Sequence, residues 1–457
     1  MEKYDNIVIG TGASGVFMAY ELTKLDSKAK TLMFDKGHSI EKRICPIDGR
    51  KIEKCITCSP CNIMNGYGGA GTLSDGKYNI TNQFGGDLYK YVGSRKAIEL
   101  MEYVDKVLCS MGGADAKLYT TKDSNLKIEA LRHDLHLLDA KVRHLGTDRN
   151  YEILGNIYQY VRNSIQMEFD TEVMDVEKNG DGFIVYTEKE QYSCDRLVLA
   201  TGRSGSKWIS EICKKLGIET ESNRVDIGVR VELPAEIFEH ITSKVYEAKI
   251  VYKTEKYNDM VRTFCMNPYG EVVAENTNGI ITVNGHSYAD PSLRTENTNF
   301  ALLVSNQFTE PFKDSNEYGE SIARLSNMLG GGVLLQRFGD LVKGRRSNER
   351  RMEKCFTRPT FKATPGDLSL VIPKRQLDNI IEMIYALDKI APGTANEDTL
   401  LYGVEVKFYN SKVQVDSNLE TEVKGLYALG DGSGVTHSLS QASASGVHVA
   451  RILHSLE

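Results

Sequence analysis

The segment that most constrains the fold is DNIVIGTGASGVFMAYELTKL near the N-terminus. Ile7–Ile9 form a short apolar run, which is typical of a buried parallel strand. Gly10, Gly12 and Gly15 follow in the spacing G-x-G-x-x-G, and apolar residues then recur at helical intervals. Such glycines permit a tight turn, the close approach of a pyrophosphate and close packing of helix on strand. The segment therefore predicts a dinucleotide-binding strand–turn–helix unit.

The residues around this unit refine the prediction. Ala13 and Ser14 begin the helix, so their amide groups are placed to bind phosphate. The run KTLMFDKG is predicted to be the second strand, with Asp35 and Lys36 at its end. An acidic residue about 20 positions past the glycines would bind ribose hydroxyls, which favours FAD or NAD over NADP.

Length and composition exclude several classes of protein. The chain has 457 residues, enough for two or three domains, and its formal net charge of −6 argues against nucleic-acid binding. It opens directly on a strand, and no stretch has the roughly 18 apolar residues of a membrane span. Nine cysteines without an export signal indicate reduced thiols. We expect a cytoplasmic protein without a membrane span.

Two distant segments resemble the signatures of FAD-containing oxidoreductases of the glutathione-reductase type. CDRLVLATGRSGSKW (194–208) is an apolar strand that ends in Ala200, Thr201 and Gly202. Residues 423–453 form a strand, then a Gly-Asp-Gly turn, then a helix rich in small residues. Together with the N-terminal glycine motif, these two segments give three signatures, and they occur in the order that this resemblance requires.

The resemblance implies roles for individual residues. Thr201 and Gly202 would close over the dinucleotide, and Val173 would contact the adenine side through its backbone. The last helix would point its N-terminus at the flavin pyrimidine, where partial positive charge stabilises a reduced flavin. The C-terminal residues implied to contact FAD are Gly430, Asp431, Ser440 and Gln441.

Further motifs carry a resemblance to one family over nearly the whole chain. These are GYGGAGTLSDGK (66–77), RHLGTD (143–148), FCMNPYGEVV (264–273) and VNGHSY (283–288). They resemble a prokaryotic group of FAD-dependent dehydrogenases, broadly described as NAD(P)/FAD-dependent oxidoreductases. The resemblance implies FAD binding and an oxidoreductase fold, but it implies no substrate.

The expected fold class is α/β, with a discontinuous Rossmann-like FAD-binding domain and an inserted α+β substrate domain. We predict the FAD-binding domain at 1–205 and 395–457, with a helical insertion at 91–150 and a further helix at 150–169. The substrate domain is predicted at 206–394, where strand-like and helical runs alternate without a second dinucleotide fingerprint.

A second glycine-rich loop is predicted to contact the flavin. Gly68, Gly69, Ala70 and Gly71 would let the backbone lie against the ring, because larger side chains would collide with it. Ser74 is a candidate hydrogen-bond donor to the flavin or its phosphates.

Three residues are candidate acid/base groups. His437 opens the last helix, His144 lies in RHLGTD, and Glu405 lies in the strand YGVEVKF. Arg230 is interpreted either as a carboxylate-binding residue or, preferably, as a salt-bridged structural one.

Four cysteines precede the glycine loop. Cys45, Cys55, Cys58 and Cys61 include two successive C-x2-C spacings, which resemble iron–sulfur ligation more than paired zinc knuckles. Iron–sulfur, zinc and no metal, including a thiol redox pair, all remain open.

The predicted function is an FAD-dependent oxidoreductase that transfers hydride between flavin and a small organic substrate. An external electron donor, NAD(P)H or a redox protein, is a further expected partner. The alternatives are a redox-neutral flavoenzyme such as an isomerase, a flavin monooxygenase, and a non-enzymatic FAD- and metal-containing redox sensor.

Overall fold

The computed structural model describes residues 1–46, 56, 58–122, 125–277, 279–288 and 290–457. The chain divides into two compact units. Unit 1 comprises Met1–Leu118, Arg143–Asn223 and Asn410–Glu457, and unit 2 comprises Tyr119–Val142 and Arg224–Tyr409. Among the described residues, no helix has both the length and the apolar character needed to cross a membrane.

The strands and helices are numbered in chain order. The strands are β1 Glu2–Ile9, β2 Thr31–Phe34, β3 Lys77–Ile80, β4 Leu118–Thr120, β5 Leu135–Leu137, β6 Lys141–His144, β7 Gln166–Glu168, β8 Val173–Asn179, β9 Gly182–Thr187, β10 Gln191–Leu199, β11 Thr220–Glu221, β12 Val225–Pro234, β13 Ile250–Lys253, β14 Met260–Asn267, β15 Glu271–Thr277, β16 Ile280–His286, β17 Asn297–Asn306, β18 Leu334–Arg337, β19 Thr364–Pro365, β20 Leu400–Phe408, β21 Lys412–Val413 and β22 Leu426–Ala428. The α-helices are α1 Ala13–Lys24, α2 Leu88–Val92, α3 Ser94–Leu108, α4 Leu126–Leu131, α5 Thr147–Val161, α6 Ser206–Leu216, α7 Glu236–Val245, α8 Ser315–Gly330, α9 Phe338–Val342, α10 Glu349–Met352, α11 Lys374–Asp388 and α12 Leu439–His454.

Unit 1 is built on a largely parallel sheet of order β7-β2-β1-β10-β9-β8, with β22 also paired to β10. Strands β7, β2, β1, β10 and β22 run parallel, while β8 and β9 form an antiparallel extension. Helices α1 and α12 pack so closely that a Cβ on Gly446 of α12 would lie 2.0 Å from the carbonyl oxygen of Ser14 on α1. This arrangement confirms the predicted α/β class with a Rossmann-like sheet.

Unit 2 is built on a second sheet of order β19-β18-β20-β12-β17-β14-β13-β5. Its pairs are antiparallel except β18 with β19. Alternate residues of β12 from Val225 to Leu233 join a large apolar core with α7, α8 and α11. The opposite face of β12 carries Asp226, Arg230 and Glu232 instead.

The bounds of these units differ from the domains expected from sequence. Residues 119–142 were expected in a helical insertion of the FAD-binding domain, but they lie in unit 2, where β5 pairs with β13. Strand β5 is only three residues long, which is too short for an alternating pattern of apolar residues to indicate it in the sequence. Residues 206–223 lie in unit 1, and 395–409 lie in unit 2.

Candidate functional site

Three loops of unit 1 meet at one edge of the parallel sheet. They follow β1, β10 and β22, whose carboxyl ends share this edge because the strands are parallel. A Cβ on Gly10 would lie 2.6 Å from the carbonyl oxygen of Ala200, and one on Gly432 would lie 2.1 Å from that of Thr201. A Cβ on Gly430 would lie 2.5 Å from Ser14 Oγ. The glycines are therefore needed for the loops to pack together.

The second glycine loop lies against the first. The amide of Gly68 donates to the carbonyl oxygen of Thr11 at 2.7 Å, and Gly12 and Gly68 form an isolated parallel bridge. A Cβ on Gly69 would lie 3.1 Å from the Cα of Gly12. Gly68 and Gly69 both have positive φ values, +80° and +59°, which favour glycine. Sequence reasoning placed these loops at one cofactor, and the structure brings them together.

Asp35 joins the two loops. Its Oδ2 accepts hydrogen bonds from the amide and the hydroxyl of Thr11 at 2.9 and 2.8 Å. Its Oδ1 accepts from the amides of Gly37 and Gly66, both at 2.9 Å. All four donors belong to the protein, so a ribose hydroxyl would have to share or displace one of them. The ribose role of Asp35 stays a prediction.

Arg43, which sequence reasoning did not single out, organises the second loop. The side chain is buried, and burial lowers the pKa of Arg43 to about 10. Its guanidinium donates to the carbonyl oxygens of Asn62, Ile63, Tyr67 and Gly69 and to the hydroxyl of Thr72. One side chain thus holds the residues that follow the cysteines and the glycine turn in a single arrangement.

Asn150 on α5 is a second supporting residue that sequence reasoning missed. Its Nδ2 donates to the carbonyl oxygens of Gly71 at 2.8 Å and Thr72 at 3.2 Å. A Cβ on Gly76 would lie 2.8 Å from the Asn150 side chain. The contacting residues are far apart in the chain, so no local pattern could reveal the contact.

The site fits a dinucleotide, because two of its glycines leave space and two of its hydroxyls lack a partner among the described residues. A Cβ on Gly12 would meet only the carbonyl oxygen of Ala200, at 4.0 Å, and one on Gly202 would meet nothing within 4 Å. Gly12 is the N-cap residue of α1, and no side chain caps the helix there. The first backbone amides of α1 are therefore not used by a capping side chain and can donate to a phosphate. The hydroxyls of Thr201 and Ser440 are buried and make no hydrogen bond to described residues. Space, amide donors and unsatisfied hydroxyls are what a phosphate-bearing cofactor requires.

Other predicted cofactor residues already have protein partners. Gln441 accepts from the amide of Leu88 and donates to the carbonyl oxygens of Thr81 and Phe84. Ser74 Oγ donates to the carbonyl oxygen of Gly71 at 2.7 Å. These two side chains shape the loops, and a direct cofactor contact by either stays a prediction.

The remaining predicted cofactor residues lie as follows. Val173 is buried at the start of β8, and Ala200 is buried directly after β10. Asp431 Oδ1 accepts from the Thr436 hydroxyl at 3.0 Å, and Lys36 lies 3.4 Å from Glu172. Cofactor contacts of these residues also stay predictions.

The predicted acid/base residues belong to both units. His437 lies just before α12 in unit 1, where its amide donates to the carbonyl oxygen of Gly85. His144 ends β6, also in unit 1, and is half-buried. Glu405 lies on β20 in unit 2, and both its oxygens accept from Arg230 at 2.7 Å. Burial raises the pKa of Glu405, and Arg230 opposes that shift.

Arg230 occupies the structural role that the sequence interpretation preferred. Besides Glu405, its guanidinium donates to Asn299 Oδ1, Asn284 Oδ1 and the carbonyl oxygen of Cys265. All of its nitrogens are thereby used inside unit 2, and the side chain is fully buried.

The predicted cysteine cluster is only partly described. Cys55 lies outside the described residues, while Cys45, Cys58 and Cys61 are half-buried. Among the described residues, no group of three His, Cys, Asp or Glu side chains is arranged to hold a metal ion. An iron–sulfur or zinc site at these cysteines stays a prediction.

Comparisons with known proteins agree with the predicted cofactor. Residues 224–408 match the family model described as "FAD-dependent protein, C-terminal domain-like", a range that nearly coincides with the longer segment of unit 2. An uncharacterized protein of Clostridium beijerinckii is 27% identical over 473 residues, covering 97% of this chain and 79% of that protein. The family match confirms the predicted resemblance to FAD-dependent proteins and FAD as the expected cofactor.

Three solved structures are similar at low identity. Glycine oxidase from Geobacillus kaustophilus is 11% identical with a TM-score of 0.39, over 100% of this chain and 94% of that chain. FAD-bound L-α-glycerophosphate oxidase from Mycoplasma pneumoniae is 11% identical with a TM-score of 0.42, over 100% and 96%. L-Proline dehydrogenase from P. horikoshii is 14% identical with a TM-score of 0.41, over 100% and 94%. TM-scores this low do not by themselves establish a common fold.

Proposed function

We propose that the protein is an FAD-dependent oxidoreductase that transfers hydride between the flavin and a small organic substrate. The observation that carries the proposal is the meeting of glycine loops in unit 1, with open space at Gly12 and Gly202 and unsatisfied hydroxyls at Thr201 and Ser440. The match of residues 224–408 to FAD-dependent proteins supports the same cofactor. FAD, when bound, supplies the two-electron chemistry of such a reaction.

The residues of unit 1 would bind and orient this cofactor. The amides at the start of α1 would hold phosphate oxygens, since Gly12 leaves space there. The carbonyl contacts of Arg43 hold Gly69 in place, so that backbone rather than a side chain would face the flavin. The N-terminus of α12 carries partial positive charge, which stabilises negative charge in its neighbourhood.

Unit 2 corresponds to the predicted substrate domain, and His437 and His144 of unit 1 are the preferred acid/base candidates. Glu405 is the weakest of the three candidates, because its carboxylate is bound by Arg230. An external electron donor, a cytoplasmic location and a metal at the cysteines belong to the same proposal. Acid-labile sulfide and metal analysis of anaerobically purified protein would test the last of these.

A reductive screen tests the reaction itself. The FAD-loaded protein would be mixed anaerobically with panels of amines, hydroxy acids and amino acids while the visible flavin absorbance is followed. We expect at least one class to bleach the absorbance, which oxygen or an artificial acceptor then restores. A flavin that dithionite reduces, but that no organic donor and no NAD(P)H reduces, would contradict the proposed reaction. Conversion of a substrate without net bleaching or acceptor use would identify an isomerase instead.

A further inference from the structure

The face of the unit 2 sheet opposite its apolar core carries an unusual group of cations. Arg262 and Phe264 lie on β14, Lys407 lies on β20 and Lys249 directly precedes β13. The strand register places all four on this face, since Lys407 is opposite Asp226 and Val251 is opposite Arg262. We call these four residues the cation face.

Three cations converge on the Phe264 ring. The guanidinium carbon of Arg262 lies 4.1 Å from the ring centroid, Lys407 Nζ lies 5.1 Å away and Lys249 Nζ lies 5.5 Å away. Lys407 and Phe264 come together although β12 and β17 lie between their strands in the sheet. Like charges do not gather in this way without cost.

Two of the three cations have no ionic partner in the described part of the chain. Lys249 is paired with Glu247. The side chains of Arg262 and Lys407, both partly buried, form neither a hydrogen bond nor an ion pair with any described residue, and each lies near an aromatic ring. Two partly desolvated positive charges therefore lack a direct ionic contact with the described part of the protein.

Among the described residues, no neighbouring carboxylate makes a direct contact with Arg262 or Lys407. The Asp226 carboxylate acts electrostatically on Lys407, but its direct contacts are with the hydroxyls of Ser305 and Tyr409 and with Arg224, whose Nε lies 3.9 Å away. Glu405 is held by Arg230. Asn299, fully buried on β17, has an Nδ2 without a hydrogen-bond partner, so it adds a further unsatisfied donor and not an acceptor.

We propose that the cation face binds the oxyanion group of a small organic acid, with Arg262 as a two-pronged donor and Lys407 as a second positive charge. A planar guanidinium matches the two oxygens of a carboxylate or the oxygens of a phosphate monoester. The identification of this acid as the substrate rests on the proposed oxidoreductase function. The binding of the anion rests only on unit 2.

Calorimetric titration of the full-length, FAD-reconstituted protein tests this inference. The probes are benzoate, phenyl phosphate and the neutral analogue benzamide. We expect an anion to bind and benzamide to bind at least about tenfold more weakly, since ion pairing requires the negative charge. The stronger of the two anions identifies the oxyanion as carboxylate or phosphate.

Variants locate the binding site. Arg262→Met and Lys407→Met should each weaken binding of the preferred anion about tenfold or more, and Arg262→Lys should weaken it less. Arg294→Met is the matched control, because Arg294 is an exposed cation 6.0 Å from the ring of Tyr269 and lies outside the cation face. Circular dichroism would confirm that each variant is folded.

Three results would overturn the inference: binding of neither anion, equal binding of benzamide, or unchanged anion affinity in the folded Arg262→Met and Lys407→Met variants. The flavin absorbance of the same samples reports the cofactor independently. Anion binding without bound FAD would refute the proposed function and leave the anion site standing. Bound FAD without anion binding would refute the anion site and leave the proposed function standing.

Discussion

The guanidinium of Arg43 donates to the carbonyl oxygen of Gly69 at 2.8 Å, across 26 positions of sequence. The same nitrogen donates to the carbonyl oxygen of Tyr67 and to the hydroxyl of Thr72. The shape of the predicted flavin loop thus depends on one buried cation that lies before the cysteines. The same side chain also binds the carbonyl oxygens of Asn62 and Ile63, which directly follow Cys61, so these residues and the glycine loop are held together.

Arg43→Lys is expected to loosen the flavin loop. A lysine ammonium cannot reach all of these acceptors, so buried carbonyl groups lose their donors. We expect the free energy of unfolding to fall by about 2–4 kcal/mol and the FAD affinity to fall with it. Urea unfolding and fluorescence titration with FAD measure the two effects. Arg95→Lys is the control, since its side chain is 93% exposed and pairs with Glu99 on one helix. Equal losses in both variants would contradict a special role for Arg43.

Gly12→Ala is expected to separate cofactor binding from folding. The added Cβ would meet only one protein atom, at 4.0 Å, and Gly12 has a φ of −64° that alanine adopts without strain. The apo-protein should therefore keep its melting temperature, while FAD affinity falls about tenfold or more. Gly15→Ala should instead destabilise the fold, because its Cβ would lie 2.2 Å from the carbonyl oxygen of Gly10. The control Gly155→Ala on α5 should change neither property adversely.

Thr201→Val is expected to weaken FAD binding without destabilising the apo-protein. The hydroxyl is buried without a hydrogen-bond partner among the described residues, so its removal costs the folded chain nothing. If it binds the cofactor, the loss should be about 1–2 kcal/mol of binding free energy. Thr436→Val is the comparison, because its hydroxyl donates to Asp431. A lower apo-protein melting temperature with unchanged FAD affinity would count against the proposed contact.

Glu405→Gln tests whether Glu405 is structural. The change leaves the fully buried Arg230 without its bidentate partner, which should cost about 3–5 kcal/mol of unfolding free energy. Glu310→Gln is the control, since that side chain is 74% exposed. If the variant kept its stability and lost only a titration step in the pH profile of flavin reduction, Glu405 would be an acid/base group instead.

The lowered pKa of Lys407 predicts that the free energy of unfolding rises at alkaline pH. Burial lowers the pKa of Lys407 to about 8, so the folded chain releases its proton before the unfolded chain does. Between that value and the ordinary lysine pKa the unfolded state binds more protons, and stability therefore increases with pH. The charged or titratable groups around the ammonium are Asp226, Lys249, Arg262, Cys265 and Tyr409.

Urea unfolding near pH 7 and near pH 9.5 measures this contribution. The wild-type protein should gain about 1–3 kcal/mol relative to Lys407→Met over this interval. A Lys407→Met variant with the same pH dependence as the wild type would show that Lys407 does not titrate there.

The parallel core was predictable because its signals are local. Ile7–Ile9, the three glycines and the helical spacing after them all lie within one short segment, and the structure has β1 and α1 there. The predicted helix at 150–169 was partly wrong, since α5 ends at Val161 and Gln166–Glu168 form β7 beside β2. The partner strand, distant in sequence, overrides the local helical pattern.

The supporting contacts were not predictable, since they join residues far apart in the chain. Nothing near Arg43 indicates that its acceptors are the carbonyl groups of the glycine loop. The cation face likewise depends on Lys407 and Phe264 coming together although two strands lie between theirs in the sheet, and no spacing in the sequence encodes that contact. The amino-acid composition indicates neither the Arg43 contacts nor the cation face.

FAD titration of the apo-protein tests the central claim most directly. Wild-type and Gly12→Ala proteins would be stripped of any flavin, titrated with FAD, and followed by quenching of flavin fluorescence and by the visible spectrum. We predict saturable binding of one FAD per wild-type chain, and markedly weaker binding to a Gly12→Ala protein that melts at the wild-type temperature. Absence of FAD binding by the folded wild-type protein, or equal binding by both proteins, would contradict the assignment of the glycine loops of unit 1 as the cofactor site.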